Sequence, residues 1–204
     1  MSAEIVYPGG RHSSEMKMNT TSPIALESRQ RLLEIIRRKS FLRGQFKLAS
    51  GAISDYYLDM KPTSFDPEGA SLIGEIICAM LVEDRDVDSI GGLELGAVPI
   101  VAAVCARSWP KQPVQGFVVR KEAKDHGTAR KIDGNFKPNS KVVLIEDVTT
   151  KGGSVMQAVR AVRAQGAEIK RIITIVDRLE GARDNLKAEG LELASIFTTK
   201  DLLD

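Results

Sequence analysis

Between Val142 and Ser154 the chain reads VVLIEDVTTKGGS. Four apolar residues, three of them β-branched, begin it as a buried strand. The Thr-Thr-Lys-Gly-Gly-Ser that follows runs into VMQAVRAVRAQG, a turn that opens a helix. Such a junction gathers free backbone N–H groups at the positive end of a helix dipole and favours anions. Two carboxylates, Glu146 and Asp147, nevertheless stand at its mouth. The lysine precedes the glycine pair, so this is no Walker loop, and no G-x-G-x-x-G dinucleotide fingerprint occurs in the chain. Glycines allow close backbone approach, hydroxyls and N–H groups hold a phosphate, and acids accept hydrogen bonds from neutral hydroxyls. That combination suits a phosphorylated sugar.

Two further stretches carry chemistry. Arg120 to Gly127 reads RKEAKDHG, which by composition alone is a solvated loop of mixed charge. Arg178 ends IVDR, by composition a strand end with a charged residue.

VVLIEDVTTKGGS resembles the phosphoribosyl pyrophosphate-binding motif of the type I phosphoribosyltransferases. RKEAKDHG is closely similar to the catalytic loop of the orotate phosphoribosyltransferases, and the similarity runs from the first helix to the carboxyl terminus. The resemblance implies a donor site built from Arg120, Lys121, Lys124, His126, Glu146, Asp147, Val148, Thr149, Thr150, Lys151, Gly152, Gly153 and Ser154. Within it, Arg120, Lys121, Lys124 and His126 contact the pyrophosphate, Glu146 and Asp147 take the ribose hydroxyls, and Lys124, His126 and Asp147 are the catalytic residues. Thr150 and Arg178 are implied orotate contacts, the arginine binding the substrate carboxylate with its planar fork. The implied activity joins orotate N1 to the ribose C1 of phosphoribosyl pyrophosphate, giving orotidine 5′-phosphate and pyrophosphate in pyrimidine biosynthesis. Mg²⁺ is the implied cofactor, held mainly through substrate and water with no dedicated protein cage. The implied assembly is a homodimer with sites shared between subunits, and residues 120 to about 134 would close as a lid.

GGLELGAVP resembles the family's pyrophosphate-facing loop, and FKLASGAISDYYLDMK resembles its hairpin hood over the base. Ala49 and Gly96 stand where some members carry lysine. Phe46, Lys47 and Lys61 remain open as hood contacts, and Lys151 remains open between phosphate and solvent. Two rivals are a phosphoribosyltransferase for another base and a regulator that keeps the sugar-phosphate site without catalysis. RKEAKDHG and Arg178 speak against the first, an intact loop and a lack of basicity against the second.

The elements that must position these residues follow from the pattern. Strands alternate with helices of about ten to fifteen residues, which predicts an α/β fold with a central, mainly parallel sheet flanked by helices, and the resemblance implies a small N-terminal hairpin and helix hood beside it. Ligands in such sheets bind beyond the carboxyl ends of the strands, so GGLELGA, VRKEAKDHG and EDVTTKGGS are expected on one rim. Residues 1–22 are polar and aperiodic, a tail; 23–204 form one domain, with the hood over about 23–65. Pro23 opens a helix whose apolar stripe is Leu26, Leu32, Leu33, Ile35 and Ile36.

Bulk properties exclude other classes. The 29 basic and 27 acidic residues leave +2, which argues against nucleic acid or membrane as a partner. Cys78 and Cys105 lie in apolar helical patterns, as buried reduced thiols do. No stretch approaches the roughly 18 apolar residues of a membrane span, and no signal-peptide pattern opens the chain, so a cytoplasmic protein is expected.

Overall fold

A computed structural model describes residues 23–47, 53–84, 86–122 and 131–204. Helix α1 (Pro23–Lys39) leads into an antiparallel hairpin, β1 (Phe41–Lys47) and β2 (Ile53–Leu58). The first strand starts five residues before the expected Phe46, because Phe41 and Leu42 pair with Leu58 and Tyr57 across a bulge. A short helix α2 (Lys61–Ser64) and α3 (Pro67–Leu81) follow; Asp66 caps α3 by accepting the N–H groups of Glu68 and Gly69 at 3.1 and 3.0 Å.

The remaining elements are β3 (Ser89–Leu93), α4 (Ala97–Ser108), β4 (Gln115–Val119), β5 (Ile132–Gly134), β6 (Lys141–Thr149), α5 (Gly153–Arg163), β7 (Glu168–Asp177), α6 (Ala182–Ala188), β8 (Leu193–Thr198) and α7 (Thr199–Leu203). Their six-stranded sheet runs β5-β4-β3-β6-β7-β8, parallel except for the antiparallel edge strand β5. The expected α/β fold with a mainly parallel sheet and a separate hairpin is therefore the observed one. The segment from Arg120 to about residue 134, expected to be a lid, contains β5; three residues are too few for a periodic signal. The paired residues Ile132 to Gly134 belong to the sheet edge and so to the frame of the loop.

Period-two alternation explains why VVLI serves both faces of the sheet. Val143 and Ile145 join Leu32, Ile36, Ile73, Ile77, Ile100 and Val104 from α1, α3 and α4. Val142 and Leu144 join Val155, Ala158, Val159 and Val162 from α5, with Leu186 from α6. In the first helix Leu32, Ile35 and Ile36 are fully buried, while Leu26, expected on the same stripe, is 56% exposed. Cys78 and Cys105 are free and half-buried, and burial pushes the Cys78 thiol up to about 11, consistent with inert thiols. No helix among the described residues is long and apolar enough to cross a membrane.

Candidate active site

Because β4, β3, β6 and β7 are parallel and adjacent, their carboxyl ends open on one rim. That rim brings together Arg120 and Lys121 after β4, the Glu94–Gly96 turn after β3, the acidic pair and glycine turn of β6, and Arg178 after β7. Lys124 and His126 lie outside the described residues, as do Ala49 and residues 1–22.

The turn after β6 is built as an anion cradle. Gly152 takes φ +85° and heads α5 with no side-chain cap, a conformation that strains any residue with a Cβ. The carbonyls of Thr149, Thr150 and Lys151 are occupied by Arg178 N–H (2.9 Å), Ala182 N–H (3.1 Å) and the Asn185 amide (2.9 Å). These bonds pin the loop to the segment after β7 and to α6. Among the described residues, the N–H groups of Lys151, Gly152, Gly153 and Ser154 donate to nothing. Lys151, Gly153 and Ser154 are exposed, whereas Thr149 is 2% exposed and its hydroxyl is buried with no partner among the described residues.

Beside this turn lies the acidic pair. Glu146 is 7% exposed and, among the described residues, its Oε2 has no hydrogen-bond partner. Burial foremost, then the neighbouring Asp147 carboxylate, raises its carboxyl from 4.5 to about 8, with Lys121 pulling the other way. Asp147 is half-buried, and its Oδ1 accepts the N–H of Val148 at 2.8 Å. A buried carboxyl oxygen with no donor awaits one, and a sugar hydroxyl is such a donor.

This unpartnered acid has a consequence for stability. Unfolded, Glu146 ionises near 4.5; folded, near 8, so the folded state holds the extra proton between those values. The stability that this proton confers is complete below the lower value and is lost as pH rises towards 8. Glu146→Gln, which cannot ionise, is expected to flatten that decline and raise the unfolding midpoint of the ligand-free protein by roughly 2–4 °C above pH 8. Calorimetry across pH 5–9 checks it; parallel midpoint curves for the two proteins would contradict it.

Gly96 explains how close the turns are. It heads α4 at φ −60°, which any residue tolerates, yet a Cβ there would overlap the Asp147 carboxylate. A lysine at this position, as in some members of the resembling family, would require a different setting for Asp147. Gly96→Ala is expected to displace that carboxylate and weaken donor binding by about tenfold to a hundredfold, leaving the unfolding midpoint near wild type. Titration with phosphoribosyl pyrophosphate reads this, and unchanged affinity would show that Asp147 can move without loss.

Three cationic residues follow from neighbouring elements. Arg120 reaches Asp133 (Nε to Oδ2, 2.6 Å) and its N–H meets the Lys131 carbonyl at 2.9 Å, tying together the two ends of the intervening segment. Lys121 N–H binds Glu94 Oε1 at 3.0 Å. Lys61 Nζ sits 2.6 Å from Asp59, whose hydrogen bond is the main cause that raises the lysine's pKa; the Asp147 carboxylate adds to it. Both hood lysines are exposed, and Asp147 is among the charges that act on Lys61. Phe46 meets Tyr57, ring centroids 5.6 Å apart.

Arg178, its side chain 12% exposed, is enclosed by partners that no local sequence pattern indicates. Its guanidinium lies over the ring of Tyr56, 4.8 Å from the centroid, and Nε contacts Tyr56 Oη at 3.1 Å and Glu180 Oε1 at 2.9 Å. Asp177, 1% exposed, accepts the Leu179 N–H at 2.9 Å and shapes the turn. The only signal for Tyr56 was its inward register on β2, whose partner 122 residues away no local pattern reveals.

Comparison with known proteins agrees with this geometry. Residues 67–194 match the phosphoribosyl transferase domain family. An orotate phosphoribosyltransferase of Bradyrhizobium diazoefficiens is 48% identical over 181 residues, covering 86% of this chain and 96% of its own. One from Methanocaldococcus jannaschii is 43% identical, covering 87% and 98%. The crystal structure of Mycobacterium tuberculosis orotate phosphoribosyltransferase in complex with 5-phospho-α-D-ribosyl 1-diphosphate superposes with a TM-score of 0.74 at 34% identity, covering 87% of this chain and 99% of that one. Leishmania donovani adenine phosphoribosyltransferase, at 15% identity and a TM-score of 0.60, shares the fold. With relatives this similar over nearly the whole of their length, and with the cradle, acids and arginine on one rim, the chain belongs to the orotate phosphoribosyltransferases, within the phosphoribosyl transferase domain family.

Proposed function

We propose that the chain transfers the 5-phosphoribosyl group of phosphoribosyl pyrophosphate to N1 of orotate, a pentosyl transfer in pyrimidine nucleotide biosynthesis. The bond from C1 to N1 forms, the bond from C1 to the pyrophosphate oxygen breaks, and pyrophosphate leaves. One observation carries the reading. Thr149 and Asp177 are register partners on adjacent parallel strands, so the phosphate turn and Arg178 leave the sheet side by side, about 4.8 Å apart. A sugar phosphate on the first and a carboxylate-bearing base on the second would share one opening.

The N–H groups from Lys151 to Ser154, with the hydroxyls of Thr150 and Ser154, would bind the 5′-phosphate, while Glu146 and Asp147 take the ribose hydroxyls. Arg120, Lys121, Lys124 and His126 would stabilise charge on the departing pyrophosphate, and Lys61 is the hood cation that fits beside Asp147. No covalent nucleophile is required. The oxocarbenium-like transition state needs two anionic substrates aligned and water excluded.

Mg²⁺ fits the donor set: a buried carboxyl oxygen without a partner beside a second carboxylate is chemistry suited to a hard, hydrated cation. Among the described residues no group of three or more His, Cys, Asp or Glu forms a ready cage, so Glu146 and Asp147 would hold the ion through its water and the substrate's oxygens. Its contribution there would be to neutralise pyrophosphate charge. The functional unit is a single domain over 23–204 with a hood to about residue 65, assembled as a homodimer with shared sites. Two free, half-buried thiols are compatible with a reducing cytoplasm.

Following orotate absorbance after addition of phosphoribosyl pyrophosphate, with and without Mg²⁺, tests the proposal. Orotate consumption that depends on Mg²⁺ is expected. Unchanged absorbance with orotate, accompanied by turnover of another base, would transfer the protein to a different acceptor.

A further inference from the structure

The setting of Arg178 specifies how it can meet a substrate. Its backbone is held from two sides: its N–H donates to the Thr149 carbonyl at 2.9 Å, and its carbonyl accepts the Thr199 hydroxyl at 3.2 Å. The first partner belongs to the phosphate turn and the second to the last helix. The side chain, 12% exposed, is then gripped through Nε by Tyr56 Oη at 3.1 Å and Glu180 Oε1 at 2.9 Å. The Tyr56 ring supports the guanidinium face at 4.8 Å. Tyr56 is itself seated, packing on Phe41 at 5.3 Å, with its carbonyl accepting the Ser54 hydroxyl at 2.7 Å.

A guanidinium can present a carboxylate with either of two donor pairs, the edge containing Nε or the end formed by its two terminal nitrogens. Here the single hydrogen on Nε is donated to Tyr56 Oη, and the Glu180 carboxylate pairs with the same nitrogen at 2.9 Å. Among the described residues, the two terminal nitrogens have no hydrogen-bond partner. We propose that Tyr56 and Glu180 are positioning residues that commit Arg178 to an end-on, two-nitrogen grip on the acceptor's carboxylate. Tyr56 stands on the hood strand β2, so the hood contributes to acceptor selection by orienting an arginine of the main sheet. Immobilising the fork beforehand lowers the ordering cost of binding. The inference rests on the reading that Arg178 receives the orotate carboxylate.

Tyr56→Phe keeps the ring and removes the hydroxyl; Glu180→Gln keeps the shape and removes the charge. Each is expected to raise the KM for orotate about threefold to tenfold, with KM for phosphoribosyl pyrophosphate and kcat at saturation within about twofold of wild type. In an Arg178→Ala background, adding Tyr56→Phe is expected to cost nothing further, because the interaction it serves has already gone. Equal increases in both KM values, or the same penalty with and without Arg178, would reduce Tyr56 to a packing residue and overturn the proposal. Failure of the function reading is told apart by the wild type, which would then neither bind nor consume orotate.

Discussion

Arg178→Ala is expected to raise the KM for orotate by about a hundredfold or more while changing the KM for phosphoribosyl pyrophosphate little. A bidentate arginine–carboxylate pair provides two charge-assisted hydrogen bonds, each worth about 1.5–3 kcal/mol when shielded from water. At 12% side-chain exposure and stacked on Tyr56, Arg178 meets that condition. Its loss also leaves an anionic substrate group without a partner, which adds to the penalty. Arg178→Lys is informative beside it: the charge remains but the fork does not, so recovery should be partial. Steady-state kinetics with each substrate varied in turn separates the effects. An orotate KM within threefold of wild type would remove Arg178 from acceptor recognition.

The second large effect is expected at Lys124. Lys124→Ala should cut turnover at least tenfold with the unfolding midpoint unchanged, since a cation on the departing pyrophosphate acts on charge that develops only as the C–O bond breaks. A nearly normal rate in the purified variant would sink the assignment. The same residue tests the assembly. If the loop crosses between subunits, a mixture of inactive Lys124→Ala and Asp147→Asn chains should recover up to about a quarter of wild-type activity, because half of the random dimers contain one intact site. Demonstrated subunit exchange without recovery would argue for sites complete within one chain.

These predictions draw unequally on sequence and on structure. VVLI was legible as a buried strand because alternation of apolar residues on both faces is a local property, and the structure buries all four side chains completely. The glycine turn was legible for a similar reason: Gly152 at φ +85° is a backbone demand that few other residues meet. Less was visible at the margins. Leu26 fits the helical period yet remains exposed, since periodicity states which face a residue occupies but not whether another element covers it. The strand β5 was missed because its three residues are set by pairing with β4.

Within the site, residue types indicated a cradle and an acidic pair, and the resemblance of RKEAKDHG and Arg178 to family motifs indicated the acceptor. Neither could indicate that Glu146 would be buried with an unpartnered oxygen, since burial depends on what packs above it. Nor could they indicate that Asp147 would act on Lys61, or find Tyr56 beneath an arginine 122 residues away. What the sequence by itself determined was the local chemistry: strand, turn, anion cradle and charged loop, each encoded by neighbours in the chain. What only the tertiary structure decided was which charges face one another and how Arg178 is aimed. Electrostatics and hydrogen bonds act over ångströms in space, and the sheet order, not the chain order, sets those distances.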